Sequence, residues 1–203
     1  MDSSYVKRSK AVTPFFNLIP ESMHRRTVIA GGAVVSFPKA KDVDIWILSC
    51  GSASCMAERA VRSTIREHLH DFFGDEDFFT PEWEEKTIDV DYANADGRVL
   101  FTTQYLGKKV QILGTRFTTV TELLTHFDLS VHQAALLPGS GAIVELCSTT
   151  QVGEVIRVTN YHSPEHTFAR ARKLCQRYGT TVHTMDLSRL LLAQPTAPEE
   201  VEG

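Results

Sequence analysis

Apolar and polar positions alternate most clearly in "VDIWILS". Val43, Ile45 and Ile47 fall on one side of an extended chain there, and Asp44, Trp46 and Leu48 on the other. That period predicts a strand. A preceding strand is predicted at roughly 27–31, running into Gly31-Gly32. From Ser54 to Phe73 the period changes: Ala57, Val61, Ile65 and Leu69 recur every four residues, and Phe72 or Phe73 extends the stripe. This predicts the clearest helix of the chain, ended by Gly74.

Further on, "KTIDVDYA", "VLFTTQYL" and "KKVQILG" read as extended, with Gly107 placing a tight hairpin between the last two. "TTVTELLTHF" predicts a helix capped by Thr118 or Thr119, with Glu122 following. "DLSVHQAALL" and "AIVELC" read as a strand pair joined by "PGSG", and "FFNLIPESMHRR" as a short helix or turn. Ser163, Pro164 and Gly179 delimit a helix over "SPEHTFARARKLCQRYG", and "MDLSRLLLAQ" predicts a short amphipathic one. The pattern as a whole predicts an α+β (or α/β) main domain over residues 1–150. A C-terminal helical region over 151–193 packs on it, and an acidic, Pro-containing tail over 194–203 is expected to be disordered.

Composition narrows the class. An apolar fraction of 42% and a charged fraction of 23% are those of a globular chain, and a net charge of −4 provides no overall basic field for nucleic acid. No apolar run approaches the ~20 residues that span a bilayer, and no secretory signal is visible, so no membrane partner is expected. Cys50, Cys55, Cys147 and Cys175 form no C-x-x-C pair, which predicts reduced thiols and a cytoplasmic setting. Oligomeric state is not legible.

The candidate chemistry lies in "VIAGGAVVSFPKAKDVDIWIL". Two aspartates at i and i+2 on a strand project from one face, and ionised carboxylates in an apolar strand need a cationic counterpart. A hard divalent cation supplies it, taking one or two carboxylates together with waters and phosphates. Gly31-Gly32 lets the backbone approach a phosphate closely, and a following helix start would aim N–H groups at it. On this reading Asp42 and Asp44 are metal ligands, Gly31 and Gly32 cradle phosphates, and Ser36 and Lys41 are candidate phosphate contacts. On the helix beginning at Pro164, Arg170, Lys173 and Arg177 form one cationic stripe, and Arg170 and Lys173 are candidate nucleotide or RNA-backbone contacts.

The order of strand, Gly-Gly turn, spacer and D-x-D strand resembles the polymerase β-type nucleotidyltransferase superfamily. "AGGAV" with "KDVDIWI" looks like the version in CCA-adding enzymes and in small phage-encoded nucleotidyltransferase-like proteins. "KKVQIL", "FDLSVHQAAL" and "PEHTFARARKLCQRYG" are similar to segments of the latter. The resemblance implies a mixed sheet flanked by helices with a small C-terminal helical part, located in the host cytoplasm if the chain is phage-encoded. It implies two Mg²⁺ ions, with Mn²⁺ as a substitute, bridging the aspartates and an NTP such as ATP. The reaction would be transfer of a nucleoside monophosphate to a hydroxyl of RNA, a small molecule or a protein. The superfamily's third carboxylate falls at Gln111, whose carbonyl can ligate a hard cation but brings neither charge nor a base. Asp91 or Asp89 is the first replacement and Asp128 the next. The alternative is a catalytically lapsed fold that binds a nucleotide or partner.

Overall fold

Strand β2 (Asp42–Ile47) lies in the middle of the molecule, and the elements on either side of it define the fold. The structure is a computed structural model describing residues 3–50, 55–74, 97–146, 155–160, 164–183, 186, 188 and 189. Strand β1 (Thr27–Ala30) runs antiparallel to β2 on one side. On the other side β4 (Lys108–Thr115) runs parallel to it. β3 (Gly97–Tyr105), β5 (Ala134–Leu136) and β6 (Ile143–Glu145) complete a six-stranded mixed sheet in the order β3-β4-β2-β1-β5-β6. With helices on both faces the architecture is α+β, as the sequence pattern predicts.

Alternation along β2 sorts its residues onto two cores. Val43, Ile45 and Ile47, with Val110 and Ile112 of β4, join one cluster that includes Ile65 and Leu69 of helix α3 (Cys55–Phe73). Trp46 and Leu48 join the other, with Leu113, Phe117 and Leu123 and Leu124 of helix α4 (Val120–Thr125). Thr119 caps α4 in a reciprocal box: its side chain accepts from the Glu122 N–H at 3.2 Å, and the Glu122 carboxylate accepts from the Thr119 N–H at 3.2 Å.

The N-terminal region departs from the sequence expectation. Residues Ser3–Val12 form helix α1, which was not predicted, and two 3-10 helices follow at Thr13–Leu18 and Glu21–Arg26. Phe15, Phe16, Leu18 and Ile19 are buried in the first core, so this segment is a structural layer rather than a lead-in. Arg8 Nη1 donates to the Val35 carbonyl at 2.8 Å and Ser9 Oγ to the Gly141 carbonyl at 2.9 Å, fixing α1 across the sheet's end.

"DLSVHQAALL" is also only partly a strand. Ser130–His132 is a 3-10 turn, and β5 begins at Ala134. The reason is a third core, in which Leu129 and Val131 pack with Ile156, Val158, Ala171 and Leu174. Ala171 and Leu174 belong to helix α5 (Pro164–Tyr178), which Gly179 ends at φ +63°. A short parallel pair, β7 (Val155–Ile156) and β8 (Thr181–Val182), flanks α5. Buried Asp186 accepts from Arg157 Nε at 2.8 Å and from the Val158 N–H at 3.1 Å.

Candidate functional site

The site is built from a change of character along one face of the sheet. Val99, Leu113, Trp46 and Val28 stand side by side across β3, β4, β2 and β1, all apolar. Moving toward the start of β2, the next row is Thr102, Gln111, Asp44 and Ala30, and the one beyond it Gln104, Lys109 and Asp42. The opposite face stays buried over the same span, with Val43 and Val110 fully covered beside Thr103 of β3. A core-forming strand therefore carries polar chemistry on one face and one end only.

Asp44 stands where that change occurs. Its Oδ1 is buried with no hydrogen-bond partner among the described residues. Burial, and then repulsion from Asp42, push its carboxyl up to about 7, while Lys109 and Arg170 pull the other way. Two like charges and an orphaned buried oxygen on one surface form an arrangement that a cation would relieve. Gln111 stands directly opposite Asp44 in the parallel register, the place the resemblance assigns to a third carboxylate. Among the described residues no group of three or more His, Cys, Asp or Glu side chains is placed to hold a metal. The donor set is two carboxylates plus an amide carbonyl. It suits one hard cation that takes its remaining oxygens from phosphate and water.

The glycine turn lies beside this pair, because Ala30 of β1 is the register partner of Asp44. Gly31 has φ +85° and ψ −143°, a conformation that favours glycine, and its N–H donates to the Ala134 carbonyl at 3.0 Å. Gly32 opens the five-residue helix α2 (Gly32–Ser36), and a Cβ built on it would meet nothing within 4 Å. Backbone is thus uncovered at Gly32, while the Val34 N–H is already taken by the Gly31 carbonyl at 3.1 Å. The Ser36 hydroxyl donates back to the Gly32 carbonyl at 2.9 Å, so its proton serves the helix. Lys41 is exposed just before β2. Lys108 Nζ donates to the Pro38 and Ala40 carbonyls at 2.6 Å each and fixes the approach to β2.

The C-terminal unit adds positive charge from the other side. Arg170 of α5 acts on Asp44 and on His132, and Arg177, at the far end of the same stripe, also acts on His132. Lys173, between them in sequence, is exposed. His132 is driven down to about 4, first by burial and then by Arg170 and Arg177, against the pull of Asp128 and Asp42. It is a neutral imidazole at pH 7. Asp128 accepts from Thr167 Oγ1 at 3.0 Å and Arg170 Nη1 at 3.2 Å, so it is turned to α5.

The fold thus gathers Asp42, Asp44, Gly31, Gly32 and Arg170, while Asp89 and Asp91 lie outside the described residues. Lys109 and His132 belong to the site and were not anticipated. Lys109 was legible, since it sits two before Gln111 and shares its face by alternation. His132 carried no signal beyond its place in "FDLSVHQAAL".

No protein-family model matches the chain, and no curated protein matches it by sequence. Solved structures do. A tRNA-processing enzyme with CTP matches at a TM-score of 0.58 and 16% identity, over 90% of this chain and 45% of that one. An apo form of a tRNA-processing enzyme matches at a TM-score of 0.57 and 15% identity, over 95% of this chain and 47% of that one. The chain spans less than half the length of these proteins. At such identities the likeness is one of fold, and this chain has a nucleotidyltransferase-like fold.

Proposed function

We propose that this protein binds a nucleoside triphosphate at the Asp42–Asp44 end of β2 and transfers its nucleoside monophosphate to a hydroxyl. The acceptor class is an RNA end, a small molecule or a protein. The observation that carries the reading is Asp44, a half-buried side chain whose buried Oδ1 is orphaned, repelled by Asp42 and set beside a glycine turn of uncovered backbone. Asp42 and Asp44 would hold one Mg²⁺, or Mn²⁺ in its place, with the Gln111 carbonyl adjacent. Bound there, the ion neutralises charge at the triphosphate.

The chain's own residues supply the rest. Gly32 backbone receives phosphate oxygens, and Arg170 and Lys109 add fixed positive charge close to Asp44. Exposed Lys41 and Lys173 extend the cationic rim, and Ser36 borders the turn through its bond to Gly32. Catalysis on this basis is positioning and charge neutralisation. The fold shared with a tRNA-processing enzyme with CTP supports a nucleotide and an RNA acceptor.

A second reading is favoured by Gln111. Opposite Asp44 it brings no charge and no base, which suits a nucleotide-binding module without turnover. Incubating the purified chain with Mg²⁺, each labelled NTP and RNA acceptors separates the two. Pyrophosphate release that Asp44→Asn abolishes supports transfer. Mg²⁺-dependent binding without release supports the module, and absence of both removes the nucleotide reading altogether.

A further inference from the structure

Asp128 ties three separate segments together. It follows α4, its backbone carbonyl accepts from the N–H groups of Thr159 at 2.8 Å and Asn160 at 3.4 Å, and its carboxylate faces α5. The two carboxylate oxygens are divided: Oδ2 accepts from buried Thr167, and Oδ1 accepts from Arg170 one turn further along α5. The Asp128 side chain is 15% exposed and that of Arg170 is 45% exposed, so the pair joins a nearly covered anchor to a cation that still reaches solvent.

Arg170 does more than dock the helix. Phe127, the residue before Asp128, packs on Trp46 of β2 with ring centroids 5.8 Å apart and lies 3.8 Å from where a Cβ on Gly31 would stand, which brings the Asp128–Arg170 pair to the glycine-turn side of β2. A guanidinium has five N–H donors, and the bond from Nη1 to Asp128 leaves several for an anion. A long arginine side chain loses considerable rotamer freedom when it binds phosphate. One already held by a carboxylate has lost much of that freedom beforehand.

We infer that Asp128 is a positioning residue, fixing Arg170 against the Asp42–Asp44 end of β2 so that its unused N–H groups meet the polyphosphate. The inference rests on the triphosphate reading of the site. It assigns Asp128 a role through Arg170 rather than as a third metal ligand.

Binding of a Mg²⁺-loaded, non-hydrolysable NTP analogue to the full chain, measured by calorimetry, tests it. Arg170→Ala is expected to weaken binding roughly tenfold, the scale of a charge-assisted phosphate contact. Asp128→Asn should weaken it by a similar factor, yet add less than about twofold in the Arg170→Ala background, because coupled residues are non-additive. Thr167→Val removes the other Asp128 bond without touching Arg170, and should stay within about twofold of wild type even where thermal stability falls. Asp128→Glu keeps the charge, displaces the anchor and should resemble Asp128→Asn, which covers the case in which the asparagine variant does not fold. If Asp128→Asn and Thr167→Val weaken binding alike, or if the Asp128 effect persists in full without Arg170, the positioning role is overturned. If the wild type binds no triphosphate, the reading of the site falls and the inference with it.

Discussion

Asp44 and Asp128 are both largely withdrawn from water near the same cationic helix, and the protein treats them in opposite ways. Asp128 has a donor on each oxygen, one of them a guanidinium. Asp44 sits in the middle of the sheet with a buried oxygen that meets no donor, a second carboxylate two residues away, and a glutamine alongside. A carboxylate that holds a fold together resembles the first. One kept for something that arrives from outside resembles the second, because its unmet charge costs free energy until a ligand comes.

The contrast can be broken most forcefully through turnover. Asp44→Asn keeps the shape and removes the charge, and should lower any transfer rate by at least about a hundredfold, since metal charge stabilisation amounts to several kcal/mol. Pyrophosphate release under saturating NTP measures it. A variant that retains activity would make Asp44 a structural carboxylate after all.

Stability should then separate the two residues by sign. In metal-free buffer at pH 8, Asp128→Asn should destabilise the fold by about 1–3 kcal/mol, the scale for leaving buried partners unsatisfied. Asp44→Asn should leave stability unchanged or raise it, because it removes a buried and repelled charge. Paired denaturant titrations read both, and a loss at both positions would erase the distinction.

Acid sharpens the same comparison. The folded Asp44 carboxyl, near 7, lies above its ordinary 3.8, so between those values the folded state holds the extra proton and stability grows as pH falls. His132, near 4 against an ordinary 6.5, does the reverse: the folded state holds fewer protons and stability shrinks as pH falls. Between about pH 6.5 and 4 the two contributions oppose, each with a slope of up to about 1.4 kcal/mol per pH unit. With EDTA present, Asp44→Asn should expose the histidine slope and become less stable on acidification relative to wild type. His132→Gln should shift the other way. Unfolding midpoints at half-unit pH steps would show parallel curves for all three proteins if the two groups do not titrate as described.

The smallest effects concern the turn beside Asp44. Gly31→Ala forces a side chain into a left-handed conformation and should cost about 1–3 kcal/mol of stability. Gly32→Ala has open space and a helical position, so stability should stay level or rise by up to about 1 kcal/mol. Its expected consequence is a several-fold weaker affinity for NTP, read by the same calorimetry. Unchanged affinity would mean that nothing approaches this backbone.

Local rules governed what was legible in the chain. The two-residue period set the faces of β2, so Asp44 and Trp46 share one and Ile45 and Ile47 the other. The capping box at Thr119 and Glu122, the Pro164 start and Gly179 stop of α5, and the hairpin at Gly107 follow from chemistry within a few residues of each other. The N-terminal helix and 3-10 turns were less legible, since their burial comes from a sheet face built by residues much later in sequence.

Sequence by itself therefore determined that β2 carries a D-x-D pair next to a glycine turn, because backbone periodicity and glycine's freedom are properties of the local chain. Only the tertiary structure decided which carboxylate is satisfied and which is not. The register that sets Gln111 beside Asp44, the Lys109 charge and neutral His132 imidazole drawn into the site, and the turn of Asp128 toward α5 all arise where distant segments cross. An aspartate reads the same along the chain in either role. Its partners are assigned by packing, and packing is where the two roles part.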